Sequence, residues 1–226
     1  KLAHIHLASC DDSAERLKRL GEEEWRIHNV GAPQLDNILR GDYTSAAVTI
    51  ARETYDLKTP YILLVMHPIL VEMEEAAAQM EAALQACINS KMPVFCIYPN
   101  SDLGYQEIVK VIETGSPEQV TALRNVDRDQ YLMLLANAAA LVGNSSSGIL
   151  EAPSFKIPVV NVGNRQRGRP QASNIVNSGY TTDEIEAAID KALNDPGFRE
   201  KCDGAVNLYG DGNSGDRICA LLQEIP

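Results

Sequence analysis

The sequence predicts an α/β protein built on a Rossmann-like, doubly wound parallel sheet. Three observations point there. Short aliphatic runs alternate along the chain with longer stretches of helical period. The runs are almost uniformly apolar, as strands covered on both faces are. Four of them end directly in polar clusters, and in open α/β sheets ligands bind beyond the carboxyl ends of the strands.

Taken in order, "AHIHLA" reads as a first strand, with His4 and His6 as structural residues, and "DSAERLKRLG" as a helix that stops on Gly21. "WRIHNVG" is a second strand and contains another structural histidine, His28. "YILLVMH" is a third, followed by the helix "EEAAAQMEAALQACINS"; then come the strand "PVFCIYPN" and the helix "LGYQEIVKVIETG", closed by Gly115. The helix "RDQYLMLLANA" precedes the strands "AALVGN" and "IPVVNVG". Thr181 and Glu184 stand at capping-box spacing ahead of "TDEIEAAIDKALN", and "GDRICALLQEI" is the last helix. Right-handed crossovers between such strands give an open parallel sheet.

Composition narrows the function. At 226 residues and 45% hydrophobic, the chain can bury a substantial core but is too short for two large domains. With 20 Lys and Arg against 31 Asp and Glu it would repel a phosphate backbone, so neither nucleic acid nor an anionic membrane is expected as a partner. No run approaches the roughly 18 apolar residues of a membrane span, and "KLAHIHLASCDD" lacks a signal-peptide core, so a cytoplasmic location is expected. Cys10, Cys87, Cys96, Cys202 and Cys219 form no C-x-x-C pair and read as thiols in a reducing compartment. No metal or cofactor is implied.

The strand ends carry the chemistry. "YILLVM" runs into His67-Pro68, "PVFCIY" into Pro99-Asn100-Ser101-Asp102, "AALV" into Gly143-Asn144-Ser145-Ser146-Ser147, and "IPVVNV" into Gly163-Asn164-Arg165. "GNSSSG" is a strand-to-helix turn whose free N–H groups and hydroxyls suit a phosphate. Glu151 follows Ser147 by four residues, which on a helix puts it on the same face and roughly 6 Å from the phosphate, the step from a diphosphate to a ribose diol. The alternative at this point is a plain helix cap with Glu151 as a solvated charge. Arg165 stands at the next strand end and suits bidentate phosphate contacts, whereas Arg167 and Arg169 read as a solvated loop or a subunit contact. His67 is either a core histidine or a phosphate or sugar contact.

The run "VGNSSSGILEAPSFKIPVVNVGNRQRGR", with "HP", "YPNSD" and "YGDGN", resembles the hydrolysing UDP-N-acetylglucosamine 2-epimerases of the sialic-acid pathway. The likeness extends over nearly the whole chain, from "KLAHIH" and "VGAPQLD" onward. It implies the C-terminal, UDP-binding half of a two-domain glycosyltransferase-B-type enzyme, with residues 1–31 ending an otherwise missing N-terminal domain and 32–226 forming the Rossmann-like domain. It further implies Ser145 and Ser146 on the diphosphate, Glu151 on the ribose, Arg165 and Asn100 beside the phosphates, the backbone of Asn125 and Val126 on the uracil, and His67 as a catalytic residue facing diphosphate and sugar. The family reaction eliminates UDP from UDP-N-acetylglucosamine and adds water with inversion at C2, releasing N-acetylmannosamine. The expected partners are a UDP-sugar and UDP, and the full-length protein is expected to be a homo-oligomer. The resemblance places the acid/base carboxylates in the preceding domain, so the isolated chain is expected to be inactive. A non-hydrolysing epimerase, a UDP-sugar glycosyltransferase domain and a UDP-binding module without catalysis remain open alternatives, as does a diacetamido-bacillosamine nucleotide as substrate.

Overall fold

The computed structural model describes residues 2–115 and 118–224. In chain order the strands are β1 (His6–Ala8), β2 (Ile27–Asn29), β3 (Ala47–Ile50), β4 (Glu53–Asp56), β5 (Ile62–Val65), β6 (Val94–Ile97), β7 (Val120–Leu123), β8 (Ala140–Gly143), β9 (Val159–Val162) and β10 (Ile175–Ser178). The helices are α1 (Asp11–Arg19), α2 (Gln34–Arg40), α3 (Ala76–Asn89), α4 (Tyr105–Gly115), α5 (Arg128–Asn137), α6 (Ser147–Leu150), α7 (Ala152–Phe155), α8 (Thr182–Asn194), α9 (Pro196–Asp203) and α10 (Ser214–Glu224). Ile225, which the sequence pattern includes in the last helix, lies outside the described residues. Among those residues no helix is long and apolar enough to cross a membrane.

The chain groups into two compact units, Lys1–Asp42 with Val206–Pro226, and Tyr43–Ala205. The boundary expected from sequence fell between residues 31 and 32. In the first unit β1 and β2 pair in parallel, His6 opposite Ile27 through Ala8 opposite Asn29. The carboxylate of Asp36 on α2 accepts the N–H groups of Ser214 (3.0 Å) and Gly215 (2.7 Å), so it satisfies the free first turn of α10.

The second unit carries the parallel sheet, which among the described residues has six strands in the order β10-β9-β8-β5-β6-β7. Strand β5, first of the six in sequence, lies in the middle, and the sheet grows outward from it in both directions. Alternate residues explain why its central strands read as unbroken apolar runs. Ile62 and Leu64 pack under α3, α4, α8 and α9, with Met80, Ile108, Ile185 and Phe198. Leu63 and Val65 join Phe95, Leu134, Leu135 and Ala152 on the other face. With helices on both sides, neither set of side chains meets water.

The expected architecture is present, with differences in its elements, among them the short helices α2 and α9, which the sequence reading does not include. β7 ("VTAL") and β10 ("IVNS"), the two edge strands, were not anticipated, because one side of each is open and polar residues interrupt the apolar pattern. The antiparallel hairpin β3–β4 was also unforeseen: its strands, AVTI and ETYD, mix polar with apolar residues, and its turn is made by Ala51 (φ 49°) and Arg52 (φ 75°) rather than by Gly or Asn. Finally, the segment before α3 starts as a 3-10 turn over Leu70–Glu75, so that helix begins at Ala76 rather than Glu74.

Candidate functional site

The strand order reverses between β5 and β8, whose crossovers leave in opposite directions along the sheet. That switch point opens a crevice at the carboxyl ends of the strands, and the loops after β5 and β8 carry His67 and "GNSSSG". The two strands approach closely there. Gly143 has φ +133°, and a Cβ on it would lie 2.0 Å from the carbonyl oxygen of Val65, so only glycine fits.

Asn144, next in the chain, is fully buried and uses all its polar groups. Its N–H donates to Val65 O at 3.1 Å. Its side chain bridges the backbone of His67: Oδ1 accepts the His67 N–H at 2.8 Å, and Nδ2 donates to the His67 carbonyl at 2.8 Å. Its carbonyl accepts Arg165 Nη1 at 3.2 Å and Gln166 Nε2 at 2.8 Å. One buried amide thus joins the ends of β5, β8 and β9.

The electrostatics of His67 follow from this setting. Burial lowers its pKa to about 4, with the Arg165 guanidinium acting in the same sense and Asp102 opposing. The ring is therefore neutral near pH 7. Its Nδ1 accepts the backbone N–H of Asn100 at 3.2 Å, which leaves the proton on Nε2 and makes that atom a donor. Asn100 itself is exposed and donates from Nδ2 to Asp102 Oδ2 at 2.6 Å.

Arg165 rides on a turn with its own support. The Tyr180 hydroxyl accepts the Asn164 N–H at 3.0 Å and donates to the Glu72 carboxylate, which also takes Gln79 Nε2 at 3.0 Å. Burial and the bond to Glu72 push the Tyr180 pKa up to about 12, so the hydroxyl keeps its proton. Gly163, at φ +68°, lies against the Tyr180 ring, where a Cβ would fall 2.0 Å from a ring carbon.

The serine-rich turn leads into a single helical turn, α6, which ends at Glu151, and α7 starts immediately after it. Glu151 is only 8% exposed, and so is not a solvated charge. Its Oε2 accepts the Ser147 hydroxyl at 2.6 Å, confirming the shared face of residues four apart, and its Oε1 lies 3.2 Å from Arg128 Nη1. Ser145 Oγ accepts the Ser147 N–H at 3.3 Å; Ser146 stands at the N-cap of α6 without a side-chain cap bond.

Asn125 and Val126 sit apart from Asn144 but share a wall with Asn100. At the ends of β6 and β7 lies a cavity of about 750 Å³, lined among others by Tyr98, Pro99, Asn100, Arg124, Asn125 and Val126. The Arg124 guanidinium stacks 4.3 Å from the centre of the Tyr98 ring. Asn125 has φ 49°, a left-handed conformation that turns the chain toward Asp127 and Gln130, which cap α5 as a capping box. Arg128 opens that helix and reaches Glu151. Of the predicted residues, His67 and Arg165 are joined through Asn144 and Asn100 bonds to the His67 ring, Asn100, Asn125 and Val126 line one cavity, Glu151 is tied to Ser147 and Arg128, and Ser145 and Ser146 lie at the start of α6 beside Asn144. The sequence did not mark Arg128, Gln166 or Tyr180, nor the joining role of Asn144. For Asn144 the available signal was its place inside "GNSSSG".

Among the described residues no cluster of three His, Cys, Asp or Glu side chains suits a metal ion. The crevice carries hydrogen-bond donors and the Arg165 guanidinium, groups whose chemistry suits an anion.

The chain is 36% identical over 227 residues to the UDP-N,N'-diacetylbacillosamine 2-epimerase (hydrolyzing) of Legionella pneumophila, covering 100% of this chain and 59% of the relative. It is 34% identical over 196 residues to the UDP-N-acetylglucosamine 2-epimerase of Neisseria meningitidis, covering 85% and 51%. The chain thus spans a little over half the length of these curated relatives. Among solved structures it matches a Staphylococcus aureus MnaA–UDP complex (TM-score 0.78, 16% identity, 98% of this chain and 60% of that one). It also matches the Neisseria meningitidis UDP-GlcNAc 2-epimerase bound to UDP-GlcNAc (TM-score 0.77, 16% identity, 99% and 62%). These neighbours have the glycosyltransferase-B-type fold. The family profile described as UDP-N-acetylglucosamine 2-epimerase matches residues 1–223, and the chain belongs to that family.

Proposed function

We propose that the chain is the UDP-binding half of a hydrolysing UDP-N-acetylglucosamine 2-epimerase, which turns UDP-N-acetylglucosamine and water into N-acetylmannosamine and UDP. The observation that carries this reading is the junction at Asn144, where a neutral, Nε2-protonated His67 and the Arg165 guanidinium are held beside the serine-rich turn. Ser145, Ser146 and Arg165 bind the diphosphate, with Asn100 at its edge. Glu151 accepts the ribose hydroxyls, and the backbone at Asn125 and Val126 reads the uracil in the cavity they line. In the reaction the anomeric C–O bond breaks and its electron pair leaves with UDP. Arg165 and the His67 Nε2–H stabilise that leaving charge without reorganising. Proton removal at C2 and addition of water need acid/base groups, which we assign to a preceding domain. On this assignment, residues 1–31 end that domain and 32–226 form the nucleotide domain. The full-length protein is, on the same proposal, a cytoplasmic homo-oligomer, in keeping with the unpaired thiols.

The hydrolysing outcome is supported by the names of two relatives, from Legionella pneumophila and Campylobacter jejuni, both hydrolyzing diacetylbacillosamine 2-epimerases. Those same names favour a second reading of the sugar, with a diacetamido hexose in place of N-acetylglucosamine. Calorimetry on this chain is expected to show UDP binding, and the full-length protein is expected to release a free 2-epimerised sugar. The reading fails if UDP does not bind, or if the full-length enzyme returns an epimerised sugar still attached to UDP. Free product from this chain alone would overturn the assignment of acid/base groups to another domain. Paired assays with the two UDP-sugars decide the substrate.

A further inference from the structure

We propose that Asn144 is a positioning residue for the leaving-group site: its side chain, touching no ligand, fixes the place and tautomer of His67, while its carbonyl anchors Arg165. The proposal rests on the reading of this crevice as a diphosphate site.

The argument is one of hydrogen-bond accounting. His67 follows β5 and lies outside the paired registers of that strand, so its backbone N–H and C=O have no ladder partner. Both are instead taken by one primary amide, at 2.8 Å each, from a residue 77 positions away that is itself fully buried. Only a side chain with one acceptor and one donor at this spacing satisfies both groups. Aspartate of the same shape would set an oxygen against the His67 carbonyl, and serine is too short to span both. With the backbone pinned, the imidazole meets the Asn100 N–H at Nδ1, and this contact leaves the proton on Nε2. Releasing the clasp frees the ring from that register. The tautomers then mix, and the population presenting a donor to the leaving group falls. Arg165 and Gln166 hold the Asn144 backbone oxygen, so a change of the Asn144 side chain separates the His67 clasp from the arginine anchor.

The test is Asn144→Leu, which keeps the branched heavy-atom shape, adds no charge and removes both bonds. Titrations of this chain with UDP, inorganic diphosphate and uridine are read beside nitrogen-15 NMR of the His67 ring. The expected result is a loss of about tenfold or more for UDP and diphosphate, the worth of one hydrogen bond from the fixed His67 Nε2–H to a charged phosphate oxygen, with uridine affinity unchanged. In the same samples the ring signal moves from a single Nε2–H tautomer to a mixture. Equal loss of uridine affinity would show a general structural role, and unchanged tautomer and diphosphate affinity would show no role; either overturns the proposal while leaving the UDP site standing. Absence of UDP binding in the unaltered chain would instead overturn the underlying reading, and this proposal with it. Should Asn144→Leu fail to fold, hydrogen exchange in the unaltered chain decides: a His67 amide protected like those of β5 supports the clasp, and one that exchanges at the rate of a free loop refutes it.

Discussion

Replacing Glu151 separates a ligand contact from a structural one, because the structure sets the size of each. In Glu151→Ala the Ser147 hydroxyl loses a buried, charged acceptor at 2.6 Å, worth about 1.5–3 kcal/mol. The Arg128 partner is 49% exposed, so that pair adds at most about 0.5 kcal/mol. A total of about 1.5–3.5 kcal/mol corresponds to a fall of roughly 3–14 °C in Tm for a unit of this size. Binding follows a different path. If Glu151 accepts the ribose hydroxyls, UDP weakens by about 10- to 150-fold, the equivalent of about 1.5–3 kcal/mol, while inorganic diphosphate is unaffected. Glu151→Gln keeps an acceptor for Ser147, and so recovers most of the stability but only part of the affinity. Thermal unfolding and calorimetry with UDP, uridine and diphosphate read both effects on the same samples. A Tm within about 1 °C of the parent would refute the structural argument. A destabilised Glu151→Ala that binds UDP as tightly as the parent would show that the carboxylate serves Ser147 and Arg128 alone.

Three more outcomes are expected. Gly143→Ala places a methyl 2.0 Å from Val65 O and forces β5 and β8 apart; a loss above about 4 kcal/mol should leave little folded protein by circular dichroism, and a normal melt would refute the close approach. His67 has a pKa near 4 in the fold against about 6.5 in an unfolded chain, so between those values the unfolded chain binds the extra proton and stability falls as pH drops. Urea unfolding should show up to about 3 kcal/mol of that loss between pH 7 and pH 4 disappear in His67→Gln, and equal slopes for the two proteins would count against a buried neutral ring. Ala51→Asn combined with Arg52→Gly relieves two left-handed residues in the β3–β4 turn and should raise stability by about 1 kcal/mol, measured as a higher urea midpoint.

The parts legible in the sequence share one property: they are set by burial along the chain. Strands β5, β6, β8 and β9 are enclosed by helices on both faces, so their apolar runs announced them, and parallel strands put His67, Asn100, the serine turn and Arg165 at the same end of the sheet. The edge strands β7 and β10 and the hairpin β3–β4 have open sides, where polar residues are tolerated and the pattern fades. The site's cross-links were hidden for another reason. Arg128 meets Glu151, and Asn144 meets His67, Arg165 and Gln166, only because of the order in which the strands lie side by side. That order is a property of the assembled sheet, with no periodic trace in any one segment.

The central position of β5 also has a consequence for how the chain acquires its site in time. Strands β6 and β7 can join β5 as they leave the ribosome, each one beside the last. The other half cannot start until β8 arrives and pairs with β5 on its remaining edge. The bonds between His67 and Asn144 then close a loop spanning 77 residues, an entropic step that only the finished core repays. A growing chain that ends before Ala140 has a half-built sheet whose middle strand exposes an unpaired, wholly apolar edge, the condition most prone to aggregation. The crevice at the strand ends is therefore completed late, once the turn bearing Arg165 and the last strand, β10, have emerged and both wings of the sheet are in place.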